Sequence, residues 1–416
     1  MKIASLALVA SLAVSLLAGC PKNTGTIVGG TEPDYNYKLP PGKLGLSKVA
    51  LKDWPDFTQA CSDLTDLRKA IDCSLHYMQA PSSKQAYARY GPEFTHERTV
   101  ATLKAMGELV DQRPTPEQMN AAIRDKFDLY TSVGWNGQGE VHFTGYYTPI
   151  FDASATPTER FKYPLYKEPA DLKAMRGPDG TLQGSYPTRK ELETTQKARL
   201  AGQELYYLDD PFSVYIVQIQ GSAKLRVDGK LVTVGYTADN GRDYHSIALD
   251  LVEEGKIPKG KLSLQSVMAY FKAHPDEVSR YTWKNDRFVF FAESQGDPRG
   301  CLNEPVTPWR TVATDKDIFP RACVTFIKVG MPKRGATGLI DIIPDSKFTV
   351  DQDRGGAIRA PGRCDLYMGV GDEAGEMAGR EYENGRLYYL AIKPSLMATY
   401  AGPAAPTPVS PAPPGP

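Results

Sequence analysis

The chain has 416 residues and carries 49 Lys+Arg against 49 Asp+Glu, a formal net charge of zero. At 41% hydrophobic residues it can bury a large core, which excludes a disordered protein and a polytopic membrane protein. The balanced charge argues against nucleic acid as a partner, because that interface needs a basic face, and 23 Tyr against 14 Phe and 4 Trp suit a β-rich protein with a polar groove.

Residues 1–20 read MKIASLALVASLAVSLLAGC, with one Lys ahead of an uncharged run from Ile3 to Gly19. A run this short reads as a secretory signal peptide rather than a membrane span. It ends in Leu17-Ala18-Gly19-Cys20, which resembles the lipobox of bacterial lipoproteins, with Cys20 as the acylation site. Pro21, not Asp, follows the cysteine, and by the usual sorting rule for such lipoproteins this implies the periplasmic face of the outer membrane. Two or more acyl chains hold a protein stably on a bilayer. Cys61, Cys73, Cys301, Cys323 and Cys364 remain, in a compartment that permits disulfides. Cys61 and Cys73 are close enough in sequence to bridge across a helical hairpin. There is no CxxC, no Cys/His cluster and no HExxH, so no metal site is expected.

Residues 21–45 are polar and Gly/Pro-rich and read as a tether. Trp54 to Tyr130 looks helical. Its clearest piece is Thr115-Pro116-Glu117-Gln118, a capping box with Pro at the first helical position. Met119, Ile123, Phe127 and Tyr130 follow at helical spacing and should face a core. Val141–Tyr147 then alternates and stops at Pro149, as a strand does. Phe212–Gln220 also reads as a strand. Leu225–Val227 and Leu231–Val234 flank Asp228-Gly229, a type I′ hairpin signal. Helices are predicted from Ser246 to Glu254, ending at Gly255, and from Ser263, with Leu264, Val267, Met268 and Phe271 on one face. Strands resume at Arg287–Phe291 and continue through Val324–Val329, Leu366-Tyr367 and Leu387–Ile392. The last sixteen residues hold seven Pro and read as an extended or disordered tail. Strands, an excursion with its own helices and hairpin, then strands again fit either two consecutive domains or a barrel with a domain inserted after Pro149.

The densest chemical signal is Asp353-Arg-Gly-Gly-Ala-Ile-Arg-Ala-Pro-Gly-Arg-Cys-Asp365-Leu-Tyr. Two acids bracket a Gly-rich connection, where Gly355 and Gly356 permit close approach of backbone to a ligand. A carboxyl held at a strand edge inside a groove is partly desolvated, which raises its pKa and suits a general acid. The bland alternative is that Asp353 opens a turn and Asp365 is a surface acid.

This segment resembles the three-aspartate domain of bacterial cell-wall enzymes, with Asp315, Asp353 and Asp365 matching its acids in order. Phe143–Pro149, Gln220-Gly221-Ser222, the Tyr236…Tyr244-His245-Ser246-Ile247 stretch, Asn285…Phe291 and Gly369–Gly379 resemble motifs of the membrane-bound lytic murein transglycosylase A family, from about 141 to 394 in the family's order. The resemblance implies a six-stranded double-psi β-barrel plus an inserted smaller β-rich domain, with N-terminal helices. The layout expected is a lipoprotein signal peptide at 1–20, the tether at 21–45, helices and first barrel strands at 46–150, the inserted domain at 151–284, the rest of the barrel at 285–396 and a Pro/Ala-rich tail at 397–416. It implies a peptidoglycan lytic exotransglycosylase of the lyase class. Such an enzyme cuts the β-1,4 bond between N-acetylmuramic acid and N-acetylglucosamine and leaves a 1,6-anhydro ring. Asp365 matches the family's catalytic acid, with Asp353 and Asp315 in support. Thr144, Gly145, Tyr146, Gln220, Gly221, Ser222, Tyr244, Gly355 and Gly356 are the groove candidates. No cofactor is expected, and the partners are glycan strands and, through the lipid, the outer membrane, for a monomeric protein. Arg354 and Arg359 depart from the family's usual residues, and Cys364 beside the acid reads as a buried residue or a disulfide partner of Cys301 or Cys323. A non-catalytic peptidoglycan-binding lipoprotein on the same barrel is the alternative function.

Overall fold

The computed structural model describes residues 34–400, apart from 36, 41, 42, 44 and 178–181. The expected signal peptide with Cys20, the first part of the expected tether and residues 401–416 lie outside the described residues. In chain order the strands are β1 (Leu46–Lys48), β2 (Phe127–Ser132), β3 (Val141–Thr148), β4 (Ile150–Ser154), β5 (Tyr163–Tyr166), β6 (Glu204–Leu208), β7 (Ser222–Val227), β8 (Lys230–Asp239), β9 (Val289–Ser294), β10 (Thr311–Ala313), β11 (Val324–Arg334), β12 (Ile340–Asp353), β13 (Arg363–Val370) and β14 (Tyr382–Ile392).

Six of them close into a ring in the order β3-β14-β11-β12-β10-β13 and back to β3. The β13/β3 and β10/β12 pairs are parallel and the other four antiparallel. Closure depends on β14, which pairs with β3 through Tyr382–Gly385 and with β11 from Arg386 to Tyr389. Gly385 sits where it changes partner. A Cβ there would come 2.5 Å from the Lys328 carbonyl oxygen and 2.7 Å from Val329 Cβ. Closure leaves the ring without free edges, and β2 and β1 continue the sheet from the far end of β14. Phe143, Val312, Ile327, Leu366, Met368, Leu387 and Tyr389 share one buried cluster.

The N-terminal helices pack on this sheet. Ile71, Met106, Met119 and Ile123 are buried in one cluster with Phe326, Phe348 and Leu390. The expected capping box is present, with Thr115 and Gln118 exchanging hydrogen bonds at the start of helix Pro116–Lys126. That helix is shorter than its periodicity suggested. Phe127 and Tyr130 are buried as predicted, but from β2, because the chain turns extended at Phe127. Within the segment expected to be a tether, Tyr35 lies against the barrel and stacks on His142 with ring centroids 4.3 Å apart.

After β3 the chain leaves the barrel at Pro149, builds a second sheet in the order β5-β6-β4-β7-β8-β9, and re-enters at β10. The Asp228-Gly229 hairpin joins β7 and β8, with both residues at positive φ. Helices Ile247–Glu253 and Leu264–Ala273 lie where predicted. Phe212–Gln220 does not form the predicted strand. It is a helix, Pro211–Gln220, whose N-cap Asp210 accepts from the Ser213 amide and whose C-cap Gly221 is left-handed at φ 77°. Both end signals stand in the sequence, but a nearly continuous apolar run has no period to choose helix over strand. The boundary expected at 284 also shifts, since β9 pairs with β8 and belongs to the second sheet. The tail expected from 397 does not start there. Met397–Tyr400 is helical and Tyr400 is buried in the core of the N-terminal helices.

Candidate active site

β3 and β13 run parallel and in register, which sets Asp365 opposite Thr144, Leu366 opposite Gly145 and Tyr367 opposite Tyr146. Strand alternation then sorts β3 into two faces. Thr144, Tyr146 and Thr148 reach polar partners. Thr144 Oγ1 donates to Asp365 Oδ1, the Tyr146 hydroxyl donates to Asp353 Oδ2 at 2.8 Å, and Thr148 meets the Tyr367 and Ser222 hydroxyls at 3.0 and 3.1 Å. Phe143, Gly145 and Tyr147 face the other way. A Cβ on Gly145 would lie 2.7 Å from Ala378 Cα, so this glycine lets helix Asp372–Ala378 pack on the strand. The expectation that it lines the groove is therefore corrected.

The three acids differ in what holds them. Asp315 Oδ2 accepts from the Ala360 amide at 2.8 Å and its Oδ1 from the Asp317 amide at 3.0 Å. Asp353, at the end of β12, accepts from the Cys301 and Arg354 amides at 2.9 and 2.8 Å besides Tyr146. Burial raises its carboxyl above the ordinary value, and these donors oppose the rise. The Asp365 carboxyl has only Thr144 as a hydrogen-bond partner among the described residues. Burial raises its carboxyl as well, against the Arg363 charge and the Thr144 hydroxyl. Its side chain keeps 19% of its surface exposed, and that opening gives onto a groove.

The groove has a volume of about 1070 Å³. Asp315, Asp353, Asp365, Tyr146, Gly355 and Gly356 line it from the barrel, and Gln220, Gly221 and Ser222 from the inserted part. Gln220 also ties the two parts together, accepting from the Tyr147 amide at 3.2 Å. Thr144 is not on the wall but behind the acid. Tyr244 approaches from the inserted part, its hydroxyl pKa raised by burial and touched by the charges of Arg363 and Asp365.

Several residues of the site were not among the predicted candidates. Arg287 lies under Gly356 and pairs with Asp239 at 2.7 Å, and Tyr236 donates to the same carboxylate. Lys316 and Asp351 form a buried ion pair, completed by hydroxyls of Thr314 and Tyr389 at 2.7 and 2.6 Å from Asp351. Spacing does not announce either pair. Arg363 is different, since it precedes Asp365 by two positions on a strand and shares its face for that reason. Its Nη2 lies 4.0 Å from Asp365 Oδ1.

All five described cysteines are free thiols, so neither expected bridge is present. Cys364 alternates with Asp365 on β13 and is fully buried in the same cluster as Cys323. Cys301 instead lines the groove, and its amide holds Asp353. Cys61 and Cys73 sit in separate helices, and burial pushes the Cys61 thiol up to about 12.

Comparison with known proteins agrees with this architecture. Residues 142–292 match the family model of the MltA specific insert domain, and residues 310–391 match that of the 3D domain. The membrane-bound lytic murein transglycosylase A of Vibrio cholerae is 30% identical over 299 residues, which cover 68% of this chain and 77% of that protein. The crystal structure of a membrane-bound lytic murein transglycosylase from Agrobacterium tumefaciens has the same fold, with a TM-score of 0.68 at 24% identity over 86% of this chain and all of that one. E. coli MltA with bound chitohexaose superposes with a TM-score of 0.64 at 25% identity, over 88% of this chain and 98% of that one. With both halves of its architecture matched in order, and a relative of this identity and coverage, the chain belongs to the membrane-bound lytic murein transglycosylase A family.

Proposed function

We propose that this protein cleaves the β-1,4 bond between N-acetylmuramic acid and N-acetylglucosamine in peptidoglycan without water, using Asp365 as both acid and base. One observation carries the reading. Of the three motif acids, Asp315, Asp353 and Asp365, the last alone has a carboxyl oxygen, Oδ2, with no hydrogen-bond partner among the described residues, and it faces the groove. Hydrolytic glycosidases need two working carboxylates at a set separation. A lyase needs one. The protonated Asp365 gives its proton to the glycosidic oxygen as the C1–O bond breaks, and the bonding pair leaves with the departing sugar. The carboxylate then takes the proton of the muramyl C6 hydroxyl, and that oxygen bonds to C1 to close the anhydro ring. Burial, which raises the carboxyl, favours the protonated starting state. Acid–base help of this kind contributes roughly 10²–10⁴-fold.

Asp353 and Asp315 support the acid by holding the loop that runs from β12 to β13. Gln220, Gly221, Ser222 and Tyr244 supply sugar contacts from the inserted part, and Tyr146, Gly355 and Gly356 from the barrel. Cys20 anchors the monomer by lipid to the periplasmic face of the outer membrane, within reach of glycan strands. The relatives' membrane-bound name supports a membrane association, and the lipobox-like Leu17-Ala18-Gly19-Cys20 supports its kind.

The test is digestion of purified sacculi with mass spectrometry of the products. Anhydromuropeptides are expected from the wild type and not from Asp365→Asn, which should still bind sacculi. Reducing-end muramic acid would mean a hydrolase. No product from a folded protein would mean a glycan-binding lipoprotein instead.

A further inference from the structure

Asp365 stands at the end of a short chain of polar groups. Arg363 Nη2 lies 3.4 Å from Thr144 Oγ1, and Thr144 Oγ1 contacts Asp365 Oδ1. A guanidinium has donors and no acceptor, so Thr144 accepts from Arg363. The hydroxyl has one proton, and that proton is left for Asp365 Oδ1. Oδ1 is thus an acceptor whether the carboxyl is charged or neutral. Oδ2 looks the other way, toward the groove wall, where a Cβ on Gly355 would be 3.8 Å from it.

We propose that Arg363 and Thr144 form a directional relay that keeps the Asp365 proton on Oδ2, so that one oxygen both delivers and recovers it. The proposal rests on the reading of Asp365 as acid and base. In the first step the Oδ2 proton moves to the glycosidic oxygen, and the C1–O pair leaves with the sugar. In the second, Oδ2 takes the C6 hydroxyl proton while that oxygen bonds to C1, and the neutral acid is restored. The carboxyl need not rotate between the two. During the interval the carboxylate is steadied by the Arg363 charge at 4.0 Å and by the Thr144 hydroxyl. Among the described residues, the other titratable groups near Asp365 are Cys364, buried on the opposite face of β13, Tyr146 from β3, which bridges to Asp353 of β12, and Tyr244 from the inserted part. None of these is a cation. Arg363 and Thr144 are positioning residues, since they act through Asp365.

The full chain carrying Arg363→Met, Thr144→Val or Thr144→Ser is assayed on purified sacculi for anhydromuropeptide release across the pH range, with sacculus binding measured alongside. Arg363→Met and Thr144→Val should lower the maximal rate on the order of 10- to 100-fold with binding retained. Both should also move the alkaline limb of the profile to higher pH. A cation and a hydroxyl donor each favour the carboxylate, so without either the acid holds its proton longer as pH rises. Thr144→Ser, which keeps the donor, should recover most of the rate and return the limb. A lost rate with the limb unmoved, or no change in either variant, overturns the relay. Asp365→Asn separates the two levels. If it still yields anhydromuropeptides, the acid itself is misassigned. If it is inactive while Arg363→Met and Thr144→Val match the wild type, the relay alone fails.

Discussion

Asp353 and Asp365 show how two carboxyls on one groove come to differ. Burial raises both. Asp353 spends its oxygens on two backbone amides and the Tyr146 hydroxyl, which fixes the end of β12 and the start of the Gly-rich loop. Asparagine keeps an oxygen for the two amides, and the tyrosine hydroxyl can turn to accept from the new amide. Asp353→Asn should therefore leave the thermal midpoint near the wild type and lower the rate far less than Asp365→Asn. Asp353→Ala leaves buried donors unmet, each costing about 1–3 kcal/mol, and should lower the midpoint in a calorimetric scan. Full loss of turnover in a stable Asp353→Asn protein would give this residue a part in the chemistry itself. The acids were legible because the motif Asp353-Arg-Gly-Gly-Ala-Ile-Arg spaces them around glycines. Arg363 was legible only to a reader who had already placed Asp365 on a strand, since i and i−2 then share a face. The Lys316–Asp351 pair was not legible, because 35 positions and a closed barrel separate its partners in the chain.

Elements are legible in the sequence where a period or an end signal is explicit. The capping box at Thr115 and the turn at Asp228-Gly229 both stand where the residues put them. The run from Phe212 to Gln220 misled because it is rich in β-branched and aromatic residues and buried on nearly every side, so its helical ends at Asp210-Pro211 and Gly221 were outweighed. β3 shows the opposite case. Its alternation was plain, but which of its two faces meets the groove depends on what packs behind it, and helix Asp372–Ala378 decides that. Gly145 is the residue that records the contact. A methyl group there would meet Ala378 Cα at 2.7 Å and Met368 Cε at 3.0 Å. The first of these is backbone and cannot turn aside. Gly145→Ala should destabilise the protein by roughly 1–3 kcal/mol, the usual cost of overpacking, seen as a lower urea midpoint with the slope of the transition unchanged. A wild-type midpoint would mean that the helix shifts freely and does not fix the strand.

At the scale of the whole molecule, strands, an excursion and strands again fit two consecutive domains as well as a barrel with an insertion, and the strand order shows the insertion. Closure was hidden, because it turns on one strand changing partners at Gly385. Glu381, just ahead of that strand, is a further feature the sequence does not show. It is 3% exposed, and neither carboxyl oxygen has a hydrogen-bond partner among the described residues. Burial, with a smaller contribution from the Glu383 charge, pushes its carboxyl up to about 8. In the unfolded chain the same group titrates near the ordinary glutamate value of about 4.3. A carboxyl raised on folding is fully compatible with the folded state below the unfolded value. It then erodes stability as pH rises, until the folded group has also ionised. The loss spans the range from about 4.3 to about 8 and reaches roughly 5 kcal/mol as an upper bound. Glu381→Gln keeps the shape of the neutral acid and cannot ionise. It should flatten the dependence of the unfolding free energy on pH across that window and make the protein more stable than the wild type at the alkaline end, while differing little at the acid end. Denaturant melts of the two proteins at several pH values measure this directly. Parallel curves would show that the native protein relieves the Glu381 charge by opening around it, and that this corner of the barrel is held less firmly than its burial implies.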